Sequence, residues 1–253
     1  MMFLPIRSFW WALGQLYYDL IPLALRVNIL WSLTVLPLTL TVTLITIVLS
    51  RPEVRDGIAD RRVPLDLLLM APLLTVIVLL LAGPGTAALY NSIYRFTELE
   101  PVSFRMFARG FRRFFIRGWL VGVVDLIALF VFAVGFMFYW FSGQLFLQII
   151  AVIFVYFLLF WALMQPYLYP LMVTLDLGVY HTFRNAAVLV VGNPGATLGL
   201  GIISVISLVA LPIFTIVAMV LGPAVLALTG VRVTGNLLEE YGVSPDENGF
   251  TEI

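Results

Sequence analysis

Residues 119–141 read WLVGVVDLIALFVFAVGFMFYWF and residues 145–169 read LFLQIIAVIFVYFLLFWALMQPYLY, two apolar runs separated only by Ser142, Gly143 and Gln144. About 20 apolar residues suffice to carry a helix across a ~30 Å hydrocarbon core, so each run is long enough to span. Trp119 opens the first run and Tyr139 and Trp140 close it, where aromatic rings settle at the two membrane–water boundaries. The short glycine-containing gap predicts a tight reversal and hence a transmembrane hairpin.

The composition of the whole chain agrees. Hydrophobic residues make up 62% and charged residues 11%, against roughly 45–50% and about 25% in an ordinary soluble domain; the mean hydropathy is +1.07. A soluble fold of 253 residues cannot hide that much apolar surface.

Working outward, Val27 to Leu49 is the expected first span, with Asn28 at its entrance and Pro37 inside. Its threonines at 34, 39, 41, 43 and 46 read either as a polar lining or as ordinary helix packing through hydroxyl bonds. Ser50 to Pro64 holds seven charged residues, too many to enter lipid unpartnered, and is expected to be a solvated loop. Leu65 to Leu81 begins the second span, which Gly83-Pro84-Gly85 interrupts with a kink before residues 86–94 resume a helical pattern. Residues 196–229 are almost unbroken apolar sequence, about 51 Å as straight helix. That is too long for one ordinary crossing: a reversal at Pro212 gives two spans and six in all, a single bent helix gives five.

The expected fold is therefore an all-α polytopic transmembrane bundle of about six spans, with amphipathic helices at the interface. Residues 1–238 form one transmembrane domain and residues 239–253 an acidic tail containing Asp246, Glu247 and Glu252. Residues 9–26, which mix Trp10, Trp11 and Tyr17 with Gln15, Asp19 and Arg26, are expected to lie at the interface. The connector 170–194 is less apolar and contains Asp176, His181, Arg184 and Asn185. The N-terminus lacks the basic start and small-residue cleavage site of a secretory signal and is expected to remain in the mature protein.

Residues 102–118 are the most informative polar stretch. On a helical wheel Phe104, Phe107, Ala108, Phe111, Phe114 and Phe115 share one face, while Arg105, Arg109, Arg112, Arg113 and Arg117 occupy the other. The expectation is an interfacial helix whose phenylalanines face lipid tails and whose arginines face headgroups, each arginine contributing about 1 kcal/mol near an anionic leaflet. The five arginines serve either as a topological anchor or as a contact surface for lipid or a protein partner.

Much chemistry is disfavoured. The net charge is zero, so no global field attracts nucleic acid. The absence of cysteine removes disulfides, thiolate metal sites and cysteine nucleophiles. All fourteen cationic side chains are arginine, which removes Schiff-base chemistry and a Walker-type phosphate loop. His181 is the single histidine, either a bland interfacial residue or a pH-sensitive contact; no metalloprotease or nucleophile-elbow motif occurs. Neither an enzyme nor a cofactor is expected.

Asp125 is the sharpest individual residue, about 9 Å of helix rise beyond Trp119 in an otherwise apolar span. An ionised carboxylate at that depth needs a partner or water. It marks either a proton or cation site, or a structural tie to Arg117, Arg184 or Asn185. Gln148 and Gln165 add polar groups on the fourth span.

Two weak internal echoes accompany these features. Ser103-Phe104-Arg105 aligns with Thr182-Phe183-Arg184, and Pro84, Pro166 and Pro223 each fall late in a span, as though a helical hairpin were repeated in parallel. That arrangement gathers Arg7, Arg26, Arg95, the five arginines of 105–117, Arg184 and Arg232 on one side, against Arg51, Arg55, Arg61 and Arg62 on the other. The positive-inside rule makes the richer side, with the N-terminus, cytoplasmic.

Residues 81–90, LAGPGTAALY, followed by residues 100–115, EPVSFRMFARGFRRFF, and later by Arg184-Asn185-Ala186-Ala187 and Gly192-Asn193-Pro194, resemble the YesL-like family of bacterial integral membrane proteins. The long charged first loop and acidic tail depart from that family's compact form. The resemblance implies a multi-pass protein of the bacterial cytoplasmic membrane, of undetermined activity and often placed beside carbohydrate uptake systems. It carries no catalytic or ligand residues. The expected role is an accessory or regulatory one in the lipid bilayer, with a transporter or sensor protein as partner and contact through the basic face. The alternative is a small transporter or channel with its polar site near Asp125.

Overall fold

A computed structural model describes residues 4–15, 21–51, 81–96, 103–213 and 215–243. Among these residues the chain is helical throughout, without strands: α1 (Leu4–Gln15), α2 (Ile21–Leu49), α3 (81–96), α4 (Phe104–Arg113), α5 (Phe115–Trp140), α6 (Leu145–Thr174), α7 (Val179–Gly192), α8 (Pro194–Ile213) and α9 (Thr215–Glu240). Most of the charged loop 50–64, the start of the expected second span and residues 244–253 of the acidic tail lie outside the described residues.

The hairpin at 119–169 is present. Helices α5 and α6 are both long and apolar enough to cross a membrane, and they reverse through residues 141–144, where Gly143 supplies the positive φ of 73° that the turn needs. Helix α7 and the first part of α8 form a third apolar unit, bent by 108° at Asn193. This unit corrects the plain connector expected over 170–194: α6 runs on through Pro166 and Pro170 to Thr174, and α7 occupies the remainder. Helix α8 ends at Ile213, one residue past Pro212, and α9 begins at Thr215.

The core is concentrated toward one end of the hairpin. Tyr167, Leu168, Leu171 and Met172 of α6 are fully buried among Ala186 and Leu189 of α7 and Val233 and Leu237 of α9. A second cluster joins Ala12 of α1 and Val27 of α2 to Ala88 and Ile93 of α3 and Leu228 of α9. Toward the hairpin tip the large side chains point outward, Phe138, Phe141, Leu145 and Phe146 each at least 70% exposed. Exposed apolar surface of this extent marks a face that meets lipid or another protein rather than water.

Two expectations change at helix crossings. Gly83-Pro84-Gly85 does not break α3, which is helical from 81 to 96. Instead a Cβ on Gly83 would collide with the Gly118 carbonyl oxygen, and one on Gly118 would lie 2.9 Å from the Gly83 oxygen. The two glycines let the backbones of α3 and α5 touch, the usual role of small residues where helices meet in lipid. Of the stretch 9–26, residues 9–15 belong to α1 and 21–26 to α2, while 16–20 lie outside the described residues. Helix α1 packs on α8 and α9, with Ser8 and Ala12 buried, and α2 already starts at Ile21.

The threonines behave as packing residues where they are described. Thr34 donates to the Trp31 carbonyl and Thr41 to that of Pro37. Each hydroxyl thus satisfies itself within its own helix, as expected in hydrocarbon.

Candidate functional site

The basic stretch forms two elements rather than one. Ser103 caps α4, accepting from the Met106 N–H, and α4 ends at Arg113, so residues 114–118 belong to the junction and to α5. Phe114 is the pivot between the helices and is 1% exposed. The expected orientation of the phenylalanines is corrected here. Phe107 and Phe114 are buried in the protein cores, and Phe111 packs at the edge of one of them; Phe104 alone among the six apolar residues is strongly exposed. The apolar face of α4 is covered mainly by protein, while Arg105, Arg109, Arg112 and Arg113 project outward.

Arg113 and Arg117 fix the end of this surface. Arg113 donates to Asp176 Oδ2 at 2.8 Å, and Arg117 Nη1 donates to Asp176 Oδ1 at 2.6 Å and to the Asp176 carbonyl at 2.9 Å. Asp176 sits in the turn between α6 and α7 with a φ of 50°, a conformation that Asp tolerates better than most residues. The structure therefore gives Arg117 to Asp176, not to Asp125.

Asp125 is tied elsewhere. Trp161 Nε1 and Gln165 Nε2 both donate to its Oδ1, at 3.1 and 2.9 Å. Among the described residues its hydrogen-bond partners include none of the three expected ones, Arg117, Arg184 and Asn185. Arg184 is exposed on α7 and Asn185 is buried in the same helix. Trp161 is itself held in place, stacked on Phe183 at 5.2 Å and edge-on to Phe132 at 6.1 Å. Trp161 and Gln165 are four residues apart and so share one face of α6. That spacing was the available signal; it identified a face but not the helix opposite.

Gln165 also lines a groove of about 550 Å³ bounded by α3, α6, α8 and α9. Its walls are chiefly apolar, with Tyr90, Ser204 and Thr229 as the other polar side chains. A smaller pocket of about 330 Å³ lies between α3 and α4, lined by Asn91, Arg95, Met106, Arg109, Gly110 and Arg113. Sequence reading placed Arg95 on the same side as Arg109 and Arg113; the pocket brings the three beside one cavity.

Further polar ties join the helices. Tyr167 and Thr197, both buried, share a hydrogen bond of 3.1 Å, and Trp31 Nε1 donates to Thr86 at 3.1 Å. Asn193, at the α7–α8 bend, donates to the Tyr241 hydroxyl at 3.0 Å. Arg232 lies over the Trp11 ring at 3.6 Å; burial, then the neighbouring Arg7 charge, lowers its pKa, and the ring face offsets part of that cost.

Among the described residues, fold and site together define an all-helical protein with two helices, or three counting the bent pair, long and apolar enough to cross a membrane, and with an arginine-rich surface at one end. Comparisons with family models, curated proteins and solved structures yield no match to this chain.

Proposed function

We propose that this chain is a multi-pass protein of the bacterial cytoplasmic membrane, crossing about six times with its N-terminus inside. It acts as an accessory or regulatory component that engages another membrane protein, a transporter or sensor, through its arginine-rich cytoplasmic face. The observation that carries this reading is the fixed presentation of α4. A topological anchor needs only positive charge near the boundary. Here Met106, Phe107 and Gly110 are buried against the protein while Arg105, Arg109 and Arg112 are exposed, and Asp176 pins the following residues. A rigid cationic surface of this kind suits recognition of an acidic partner surface. The resemblance to the YesL-like family supports the same role and suggests carbohydrate uptake as its setting.

Capture from native membranes tests this reading. The intact protein retains a transporter or sensor protein, and replacing Arg105, Arg109 and Arg112 together by glutamine releases it. Recovery of the intact protein alone after mild crosslinking contradicts the proposal.

A second reading, a small transporter, draws on Gln165, which contacts Asp125 and also lines the 550 Å³ groove. Its test is solute flux in proteoliposomes. Unchanged flux after Asp125→Asn removes the residue on which that reading depends.

A further inference from the structure

We propose that Asp125 is a proton-binding site, loaded at Oδ2, and that the proton is the coupling ion of the transporter reading, on which this inference rests.

The groups around the carboxylate select the ion. Both hydrogen bonds that Asp125 accepts come from N–H donors, Trp161 Nε1 at 3.1 Å and Gln165 Nε2 at 2.9 Å, and both end on Oδ1. An indole N–H can only donate, and the Gln165 amide turns its NH2 toward the acid. A metal cation needs several oxygen ligands around it, whereas these two N–H groups present positive hydrogens to the same space and repel it. A proton needs a single lone pair. Oδ2 supplies one, since it accepts no hydrogen bond from the described residues and the residue is only half-buried.

The same surroundings suit both states of the acid. Ionised, Asp125 has two donors on Oδ1 that stabilise its charge. Protonated at Oδ2, it keeps Oδ1 as a carbonyl oxygen that accepts the same two bonds. Loading and release therefore add and remove one O–H bond without sending Trp161 or Gln165 to a new partner. Trp161 is held for this task by its stack on Phe183 and its edge contact with Phe132.

No cation among the described residues holds the acid permanently ionised. Arg117, earlier on α5, is taken by Asp176. From α6, Tyr169 lies within reach of the Asp125 charge, and Tyr90 of α3 stacks on Tyr169 at 5.8 Å; neither carries positive charge. Helix α7 contributes Phe183, while its Arg184 is exposed and its His181 ring meets Tyr180. Helix α3 approaches α5 through Gly83. An acid so placed within an apolar span has the setting of a proton-relay residue. Gln165 also forms part of the wall of the 550 Å³ groove, so a solute there lies one side chain away from the proton.

The experiment uses the full chain in vesicles of uncharged lipid, with infrared absorption followed as the pH is lowered. Subtracting spectra of Asp125→Asn from those of the unsubstituted chain isolates one carboxyl group. A carboxylic-acid carbonyl band that grows as the pH falls, and moves to lower frequency in heavy water, is expected. Trp161→Phe and Gln165→Leu each move that band to higher frequency, because each removes a donor from Oδ1. Gln148→Leu, whose amide bonds the Trp140 carbonyl instead, leaves it in place. The two donor variants also identify the band without Asp125→Asn, should that variant fail to fold. Exchanging choline for sodium at constant ionic strength leaves the growth of the band with pH unchanged. The absence of a pH-dependent carboxylic band, a band indifferent to both donor variants, or a titration displaced by sodium overturns the proposal. No solute is present in this measurement, so its failure is distinct from an absence of flux.

Discussion

Arg117 grips Asp176 at two points, donating to the side-chain carboxylate at 2.6 Å and to the backbone carbonyl at 2.9 Å. This contact locks the start of α5 to the turn that joins α6 and α7. It thereby links the base of the α5–α6 hairpin to the arginine-bearing surface of α4. Both partners are more than one-third exposed, so solvent screens their charges, and the coupling comes from geometry as much as from Coulomb attraction.

Replacing Asp176 separates charge from backbone. Asp176→Asn retains a residue tolerant of positive φ and loses about 1 kcal/mol or less of stability. Asp176→Ala loses about 1 kcal/mol more, because a Cβ without a polar side chain is disfavoured in the left-handed region. Thermal unfolding in detergent measures both. A double-mutant cycle with Arg117→Gln yields a coupling energy smaller than the Asp176→Asn loss, because Arg113 shares the carboxylate.

Gly83 and Gly118 carry a larger share of the fold. Gly118→Ala forces the α3 and α5 backbones apart and costs roughly 1–3 kcal/mol, whereas Gly178→Ala, with open space around its Cβ, stays within about 1 kcal/mol of the unsubstituted protein. Unfolding midpoints of the two variants in the same detergent check the contrast.

These two contacts also show what could be read from sequence and what could not. The hairpin at 119–169 was legible because unbroken apolarity, aromatic ends and a glycine-bearing gap all point to one geometry. Gly83-Pro84-Gly85 was misread as an interruption, because rules for helix breakers weigh backbone conformation and do not see a neighbouring helix that needs the space. The phenylalanines of α4 were assigned to lipid for a related reason. Amphipathicity identifies an apolar face, but lipid tails and protein interiors are similarly apolar, so periodicity alone cannot say which covers Phe107 and Phe114. The charged pairings were the least legible: Arg117 lies 59 residues from Asp176, and nothing in either local sequence indicates the other.

Asp125 accepts two donors on one oxygen. Asp125→Asn retains an acceptor there and lies within about 1 kcal/mol of the unsubstituted protein, whereas Asp125→Leu strands the Trp161 and Gln165 donors and costs about 1–3 kcal/mol. Unfolding in detergent, followed by circular dichroism, distinguishes the two.

Tyr241 steadies the bend at Asn193. Tyr241→Phe removes the hydroxyl that accepts from Asn193 Nδ2 and increases local opening of residues 190–196 without altering global stability by more than about 1.5 kcal/mol. Hydrogen–deuterium exchange of the peptide containing the bend shows faster exchange, while the α6 core remains protected.

The central claim is that α5 and α6 cross the membrane and place the turn at 141–144 on the side opposite α4. The chain contains no cysteine, so single substitutions report their own location. Gln144→Cys and Arg112→Cys, both at exposed positions, are treated in intact bacterial cells, with outer barriers made permeable, using a maleimide that cannot cross the inner membrane. Labelling of Gln144→Cys at once, and of Arg112→Cys only after the inner membrane is opened, is the predicted result; labelling of both positions from the same side contradicts the account.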